Sequence, residues 1–446
     1  MPLFPSSLPS ISLLPSSLSR HLLGGENPNL RATLRAFNLN VGLRMTYEAA
    51  CGAGALILTA YALSLGINEK DMGYLPAAMY LAAAMQMVCL FLLPKIKDAK
   101  GFAIKMGAVE PLLIITLVAL MPLVWTSARL TLFIVMLLIA TSTMQITRPI
   151  IDNWVAQRVP ERVRPKYLAR RTQIVAALQI IAVMSFAFLA DKLGKTDPIV
   201  MGGLVVLGAA LGLMSVLALQ GAAMPKTEST APTLRDLAIV LTHKPYMRVM
   251  IVSLGFNFPF YFAAPYYQTF NLKVLDMSVS MAGSLTVLYA VSKFVSLFVS
   301  HIAIKKLGSR WMLLCMTPVY TAFFVMFMFC TPDRYWPLLI AWFVVGACDG
   351  AYGVIIFTEL FKAVPKEGPR TMFFAVFNIA SVVLFGIIAA MVPHFLGFLE
   401  TGLPALLSKL GITLQVAPGG ALYMLYALAA ILMLPCGMSA LAMSKK

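Results

Sequence analysis

Twelve runs of mainly apolar residues follow one another along this chain. Each is long enough to cross a bilayer core of about 30 Å, which takes roughly 20 residues as a helix. They cover approximately 37–65, 73–94, 106–125, 130–155, 172–191, 199–221, 247–271, 279–301, 312–330, 336–361, 372–396 and 421–442. Sixty percent of the residues are hydrophobic and only 12% are charged, against roughly 25% charged in soluble domains. A soluble core cannot hide that much apolar surface. The pattern excludes a cytosolic enzyme, a secreted disulfide scaffold and a disordered regulator. A transmembrane barrel is excluded too, because its strands would be about ten residues long with strict alternation.

Charge orients the runs. The chain carries 35 Lys and Arg against 18 Asp and Glu, for a net charge of +17. In a soluble chain that balance would point to nucleic acid. Here 25 of the bases fall in the segments on the side of the N-terminus, 7 on the opposite side and 3 inside apolar runs. The excess places both termini in the cytoplasm and requires an even number of spans. The six cysteines lie in or at the ends of apolar segments, no CxxC occurs and the four histidines are scattered. Neither a disulfide framework, a metal site nor a cofactor is expected.

Residues 1–36 read as a flexible cytoplasmic tail. The first 30 contain seven serines and five prolines, with no basic region ahead of an apolar core. Residues 37–221 form a first set of six spans, 222–246 a cytoplasmic linker, 247–442 a second set of six, and 443–446 a cytoplasmic end. The outside loop 397–420 includes a candidate surface helix at 403–410. An internal repeat relates the two sets. Val159-Pro160 matches Val364-Pro365, Arg164 matches Arg370, and Gly101 matches Gly308, at offsets of 205, 206 and 207.

Charges inside apolar runs are costly and demand partners or water. Arg44 and Glu48 in span one, and Arg148 and Asp152 in span four, are each spaced i,i+4 and so share a helix face. Gln145 lies one turn before Arg148. Asp349 sits near the middle of span ten with Tyr352 on the same face. Lys293 sits in span eight with Tyr289 one turn away; it either pairs with Asp349 or snorkels or packs between helices. Glu110 and Glu359 fall near cytoplasmic ends and read as interface residues or partners of loop arginines. Span seven is dense in aromatics and is interrupted by Pro259 and Pro265; Asn257 and Tyr261 are its candidate cavity residues. GxxxG occurs at Gly208/Gly212 and Gly346/Gly350, where close helix packing explains it.

In the loop after span two, Asp98 and Gly101 keep a D-x-x-G spacing. Pro94 and Phe102 stand where a G-x-x-x-D-x-x-G-[RK] pattern has glycine and a basic residue. After span eight Gly308 remains, and Lys305 stands in the place of the acid. After span four come Trp154, Val159-Pro160, Arg164, Tyr167 and Arg170-Arg171. With twelve spans and a central linker, these residues resemble the major facilitator superfamily over about residues 30–444, and within it a bacterial branch. The resemblance implies an all-α polytopic membrane protein, with twelve transmembrane helices in two six-helix pseudo-symmetric bundles, in the bacterial inner membrane. It also implies that spans one, four, seven and ten line a central cavity. Arg44, Glu48, Gln145, Arg148, Asp152, Asn257, Tyr261, Lys293, Asp349 and Tyr352 are then the candidates for substrate or coupling-ion binding. Asp98, Gly101, Arg164, Gly308 and Arg370 are the candidates for gating loops. Arg44, Glu48, Arg148 and Asp152 can then form one neutral cluster, read either as a proton or substrate site or as a structural ion-pair network; the other reading has Arg148 and Asp152 simply reach the cytoplasmic interface.

The implied function is secondary transport of a small, amphipathic or aromatic solute by alternating access, with protons as a candidate coupling ion and lipids as surroundings. The alternatives are a transport-inactive subunit that binds a protein partner, and a lipid flippase. No phosphate-binding GxxxxGK[ST], GxSxG or HExxH pattern is present, so an ATP-driven pump and an intramembrane hydrolase are not expected. Nucleic acid is not an expected partner.

Overall fold

The structure is a computed structural model and describes residues 28–92, 96–159, 164–223, 234–365, 370–404 and 419–443. The tail 1–27, residues 224–233 of the linker, the end of the chain and residues 405–410 of the candidate surface helix lie outside the described residues. Among the described residues no strand forms beyond one isolated bridge, Thr331 to Arg334.

The first run is not one helix. It divides into α1 (Pro28–Cys51) and α2 (Leu56–Ser64). The sequence between them is Gly52-Ala53-Gly54-Ala55, and Gly54 takes φ +72, a left-handed conformation open to glycine at little cost. The Ala55 N–H turns back onto the Gly52 carbonyl at 2.9 Å. The second run is split into α3 (Tyr74–Leu81) and α4 (Met85–Leu92) by a 3-10 turn at Ala82–Ala84. There follow α5 (Ala99–Leu120), α6 (Thr126–Arg158), α7 (Arg164–Leu193) and α8 (Pro198–Ala218). A short helix, α9 (Leu234–Thr242), leads into the second half and packs on its members. That half holds α10 (Lys244–Ala263), α11 (Val279–Leu307), α12 (Ser309–Met328), α13 (Trp336–Ala363), α14 (Arg370–Gly397) and α15 (Gly420–Gly437). Beyond α10 the chain winds through a 3-10 turn containing Pro265 and a π turn at Phe270–Val274.

Eleven of the helical stretches are long and apolar enough to cross a membrane. The divided α1/α2 run makes the twelfth crossing. Large apolar side chains face outward along them: Ile181 is 60%, Phe298 62% and Ile431 65% exposed. Only lipid accommodates such a surface, and the chain is an integral membrane protein.

Within each half the GxxxG glycines bring two helices into close approach. A Cβ on Gly208 would lie 2.5 Å from the Ala50 Cβ, and one on Gly212 2.5 Å from the Tyr47 ring, so α8 lies directly on α1. Gly346 and Gly350 bring α13 onto α11, where a Cβ would strike Ser292 and Ser296.

The halves meet through α3 with α14 and α7 with α11. Among the described residues, every hydrogen bond and ion pair between the halves lies at one face, the far face, opposite the chain ends. There the Tyr266 hydroxyl donates to the Lys70 carbonyl at 2.7 Å, and Tyr74 meets His394 at 3.1 Å. Lys70 pairs with Glu400 at 3.6 Å and Lys195 with Asp276 at 3.2 Å. The Asp191 carboxylate, on α7, accepts the Val279 and Ser280 N–H groups at 2.8 and 2.7 Å. A carboxylate of one half thereby caps the first turn of a 29-residue helix of the other.

Candidate functional site

α1 carries Arg44 and Glu48 on one face, as their spacing predicts, and the two pair at 2.7 Å. Arg44 has a second partner. It makes a two-pronged pair with Glu110 of α5, NH1 to Oε2 and NH2 to Oε1. Glu110 is 1% exposed, Arg44 13% and Glu48 35%. The guanidinium also lies over the Tyr47 ring, 4.3 Å from its centroid. This corrects the expectation for Glu110, which is a deep member of the cluster and not an interface residue. The physical reason is where its helix begins. Asp98 accepts the Gly101 N–H at 2.8 Å and starts α5 at Ala99, so Glu110 stands three turns inside.

A cavity of about 410 Å³ opens beside this cluster. Five predicted residues line it: Arg44, Glu48, Gln145, Arg148 and Asp152. Arg171 of α7, Thr141 of α6 and Tyr80 of α3 line it as well. Every lining residue belongs to the first half. Gln145 accepts from the Gln86 amide at 2.6 Å. Pro149 has no N–H and frees the Gln145 carbonyl within α6. Thr141, buried in the wall, has a hydroxyl without a hydrogen-bond partner.

The second expected pair does not close. Arg148 and Asp152 are both exposed, and neither makes a hydrogen bond or an ion pair within 4 Å. Asp152 stands within electrostatic reach of Arg148 and Arg171, and the Arg171 Nε is buried without a partner. The expected neutral cluster of four is thus two groups: Arg44 with Glu48 and Glu110, deep and fully paired, and Arg148 and Arg171 with Asp152, about two helical turns from the helix ends. Burial of Arg44 and Glu110 compels pairing in the first group, whereas Arg148 and Asp152 of the second are exposed. Arg171 stood in the sequence only as part of a loop motif.

The second-half candidates gather elsewhere. Lys293 and Asp349 pair at 3.4 Å, the first of the two alternatives for Lys293. Tyr289 donates to Asp349 Oδ2 and Tyr320 to Oδ1, the latter at 3.0 Å. Asn257 donates to the Ser253 carbonyl at 2.9 Å and to the Tyr352 hydroxyl. The aromatics of α10 pack inward: Phe256 stacks on Tyr352 and Phe260 meets Tyr320 edge-on. None of Asn257, Tyr261, Lys293, Asp349 and Tyr352 lines the cavity. Tyr261 touches it through a ladder of rings: it stacks on Phe385 with centroids 4.8 Å apart, and Phe385 stacks on Tyr80, in the cavity wall, at 4.3 Å.

The loop candidates hold structure. Asp98 caps α5. Lys100 donates to the carbonyls of Gln220 and Ala222 at 2.8 and 2.6 Å, and the Trp154 indole to that of Ala223 at 2.7 Å. These bonds staple the end of α8 to its neighbours. Gly101 lies inside a helix, whereas Gly308, at φ +81, is itself the turn between α11 and α12. Arg164 and Arg370 each begin a helix, and their side chains lie outside the described residues. Glu359 accepts from Ser309 at 2.7 Å and pairs with Lys362 at 2.8 Å near the end of α13. Among the described residues no group of His, Cys, Asp and Glu is arranged to hold a metal ion.

No protein-family model matches the chain, and no curated protein sequence matches it significantly. Solved structures do. A point mutant of the nucleoside transporter NupG superposes with a TM-score of 0.66 at 12% identity, covering 93% of this chain and 100% of that one. A bacterial homolog of the human lysosomal transporter Spinster, inward-facing and unoccupied, gives 0.66 at 14%, covering 94% and 98%. A D-xylose–proton symporter gives 0.58 at 16%, covering 91% and 97%. With two six-helix halves joined at the far face and an ionisable cavity within the first half, this chain shares the fold of these transporters.

Proposed function

We propose that the protein is a secondary transporter, not an enzyme, that carries a small solute across the bacterial inner membrane by alternating access. The observation that carries this reading is the combination of a cavity lined by ionisable groups with a seal at the far face alone. Polar walls amid apolar helices mark a solute path. The Lys and Arg excess puts both termini, and the mouth of the cavity, in the cytoplasm, so the described state faces inward. Structural neighbours that are a nucleoside transporter and a sugar–proton symporter support the same reading. Glu48 is the carboxylate assigned to proton coupling, since it is part of the paired cluster yet one-third open to the cavity. Transport into sealed vesicles at a rate independent of pH would remove that assignment.

Alternation is tested without knowing the solute. Spin labels at Lys97→Cys and Lys305→Cys report on the cytoplasmic face, and labels at Thr196→Cys and Asp333→Cys on the far face. The exposed native Cys315 is changed to Ser in both pairs. Electron–electron distances are expected in two populations that change in opposite senses at the two faces. One fixed distance at each face would overturn the proposal in favour of a static binding subunit.

A further inference from the structure

Two guanidiniums line the cavity without a hydrogen-bond or ion-pair partner among the described residues. Arg148 is exposed into it, and Arg171 has a buried Nε without a partner. A single carboxylate, Asp152, lies within reach of both and pairs with neither. In the deep group, by contrast, two carboxylates occupy one guanidinium. The cavity is therefore electrically lopsided, with an excess positive charge at its mouth and an excess negative charge at its floor. Guanidinium forks match the flat, two-oxygen edge of a carboxylate or phosphate. Arg44 has its match within the protein; Arg148 and Arg171 do not.

We propose that the solute is a small organic anion, and that its carboxylate or phosphate group is held at the mouth by Arg148 and Arg171. The Thr141 hydroxyl, also without a partner, and the Gln145 carbonyl freed by Pro149 take polar groups of its body. Asp152 weakens the site by competing for the same two arginines, which keeps release possible. This inference rests on the transporter reading. It is tested by equilibrium binding, so a protein that binds and does not transport refutes that reading and leaves this one standing.

The probes are disodium succinate, sodium glycerol phosphate and sodium benzoate. Choline chloride and sodium chloride at matched ionic strength serve as controls. Binding to purified protein is read from tryptophan fluorescence during thermal unfolding. At least one of the three anions is expected to raise Tm and choline is not. Arg148→Gln or Arg171→Gln is expected to weaken that anion at least tenfold, and Arg148→Lys to restore part of the loss. Lys192→Gln, on the far face, is expected to leave it unchanged. Asp152→Asn is expected to tighten binding several-fold, a gain that a purely structural role for Asp152 would not produce. A second arm compares nanodiscs of phosphatidylglycerol with nanodiscs of phosphatidylcholine. A shift confined to phosphatidylglycerol, and lost in Arg148→Gln, supports the same chemistry and assigns it to a lipid headgroup. No shift with any anion or lipid, a shift that survives both glutamine variants, or a weaker site in Asp152→Asn overturns the proposal.

Discussion

The two halves of this protein handle the same problem, ionisable groups inside a membrane, in opposite ways. The first half sets its charges around open space. Arg44, Glu48 and Glu110 pair at the floor of a cavity, and Arg148, Asp152 and Arg171 stand unpaired at its mouth. The second half ties its acid, which is 27% exposed, into a bonded cluster. Asp349 is held by two tyrosine hydroxyls and a lysine from two other helices, beneath a layer of rings. On the proposed function, recognition that depends on charge belongs to the first half. The second supplies a stiff aromatic wall, reaching the cavity through Tyr261, Phe385 and Tyr80.

The comparison breaks most readily at Glu110. Its carboxylate is 1% exposed and Arg44 is its counterion. Removing one partner of a buried pair costs about 3–5 kcal/mol, because the other charge is left in low dielectric. Glu110→Ala is expected to lower Tm more than any other single change in the protein. Asp349→Asn is the matched change in the second half. Asn still accepts from one tyrosine, and Lys293 is 44% exposed and can turn to solvent. The expected loss is about 1 kcal/mol. Equal losses in detergent-solubilised protein would show that the Asp349 cluster is as deeply charged as the cavity floor.

Among the described residues the halves share charge only at the far face, and Asp191 tests that seam. Its carboxylate caps α11 across the interface. A cap of this kind contributes about 1 kcal/mol, and it exists only while the far face is shut. Asp191→Ala is therefore expected to shift the balance toward the outward-open state by roughly fivefold, since about 1.4 kcal/mol is tenfold. Spin-label distances between residues 196 and 333 measure it. An unchanged distribution would mean that the lipid-facing helices, and not the seam, set the balance.

How much of this was legible in the sequence follows from what each residue depends on. Span number and close glycine packing depend on local composition, and both were readable. The Lys293–Asp349 pair was readable because each charge alone is too costly. Glu110 was misread because hydropathy places the edge of a run where apolar residues start, at 106, whereas the helix starts at its cap, Asp98. Reading Asp98-x-x-Gly101 as an N-cap rather than only as a loop motif would have moved Glu110 inward. The break at Gly52–Ala55 was hidden because four small residues look like any other part of an apolar run. The fate of Arg148 and Asp152 was legible only as one alternative among three. Their spacing equals that of Arg44 and Glu48, and what separates the two pairs is exposure, which is a property of the assembled helices.

That last contrast gives the smallest expected effect. Arg44 and Arg148 are both arginines in apolar runs, each four residues before an acid. Arg44→Gln strands Glu110 in the interior and is expected to destabilise by several kcal/mol, as Glu110→Ala does. Arg148→Gln removes a side chain that is exposed and bonded to nothing, and surface changes of that kind stay within about 0.5 kcal/mol. Its Tm without ligand is therefore expected to match that of the parent. A clear loss of Tm in Arg148→Gln would mean that its attraction to Asp152 holds α6 in place, and the two guanidiniums at the mouth would then be structural. An unchanged Tm leaves them free for a solute, since a residue that contributes nothing to folding is available for binding.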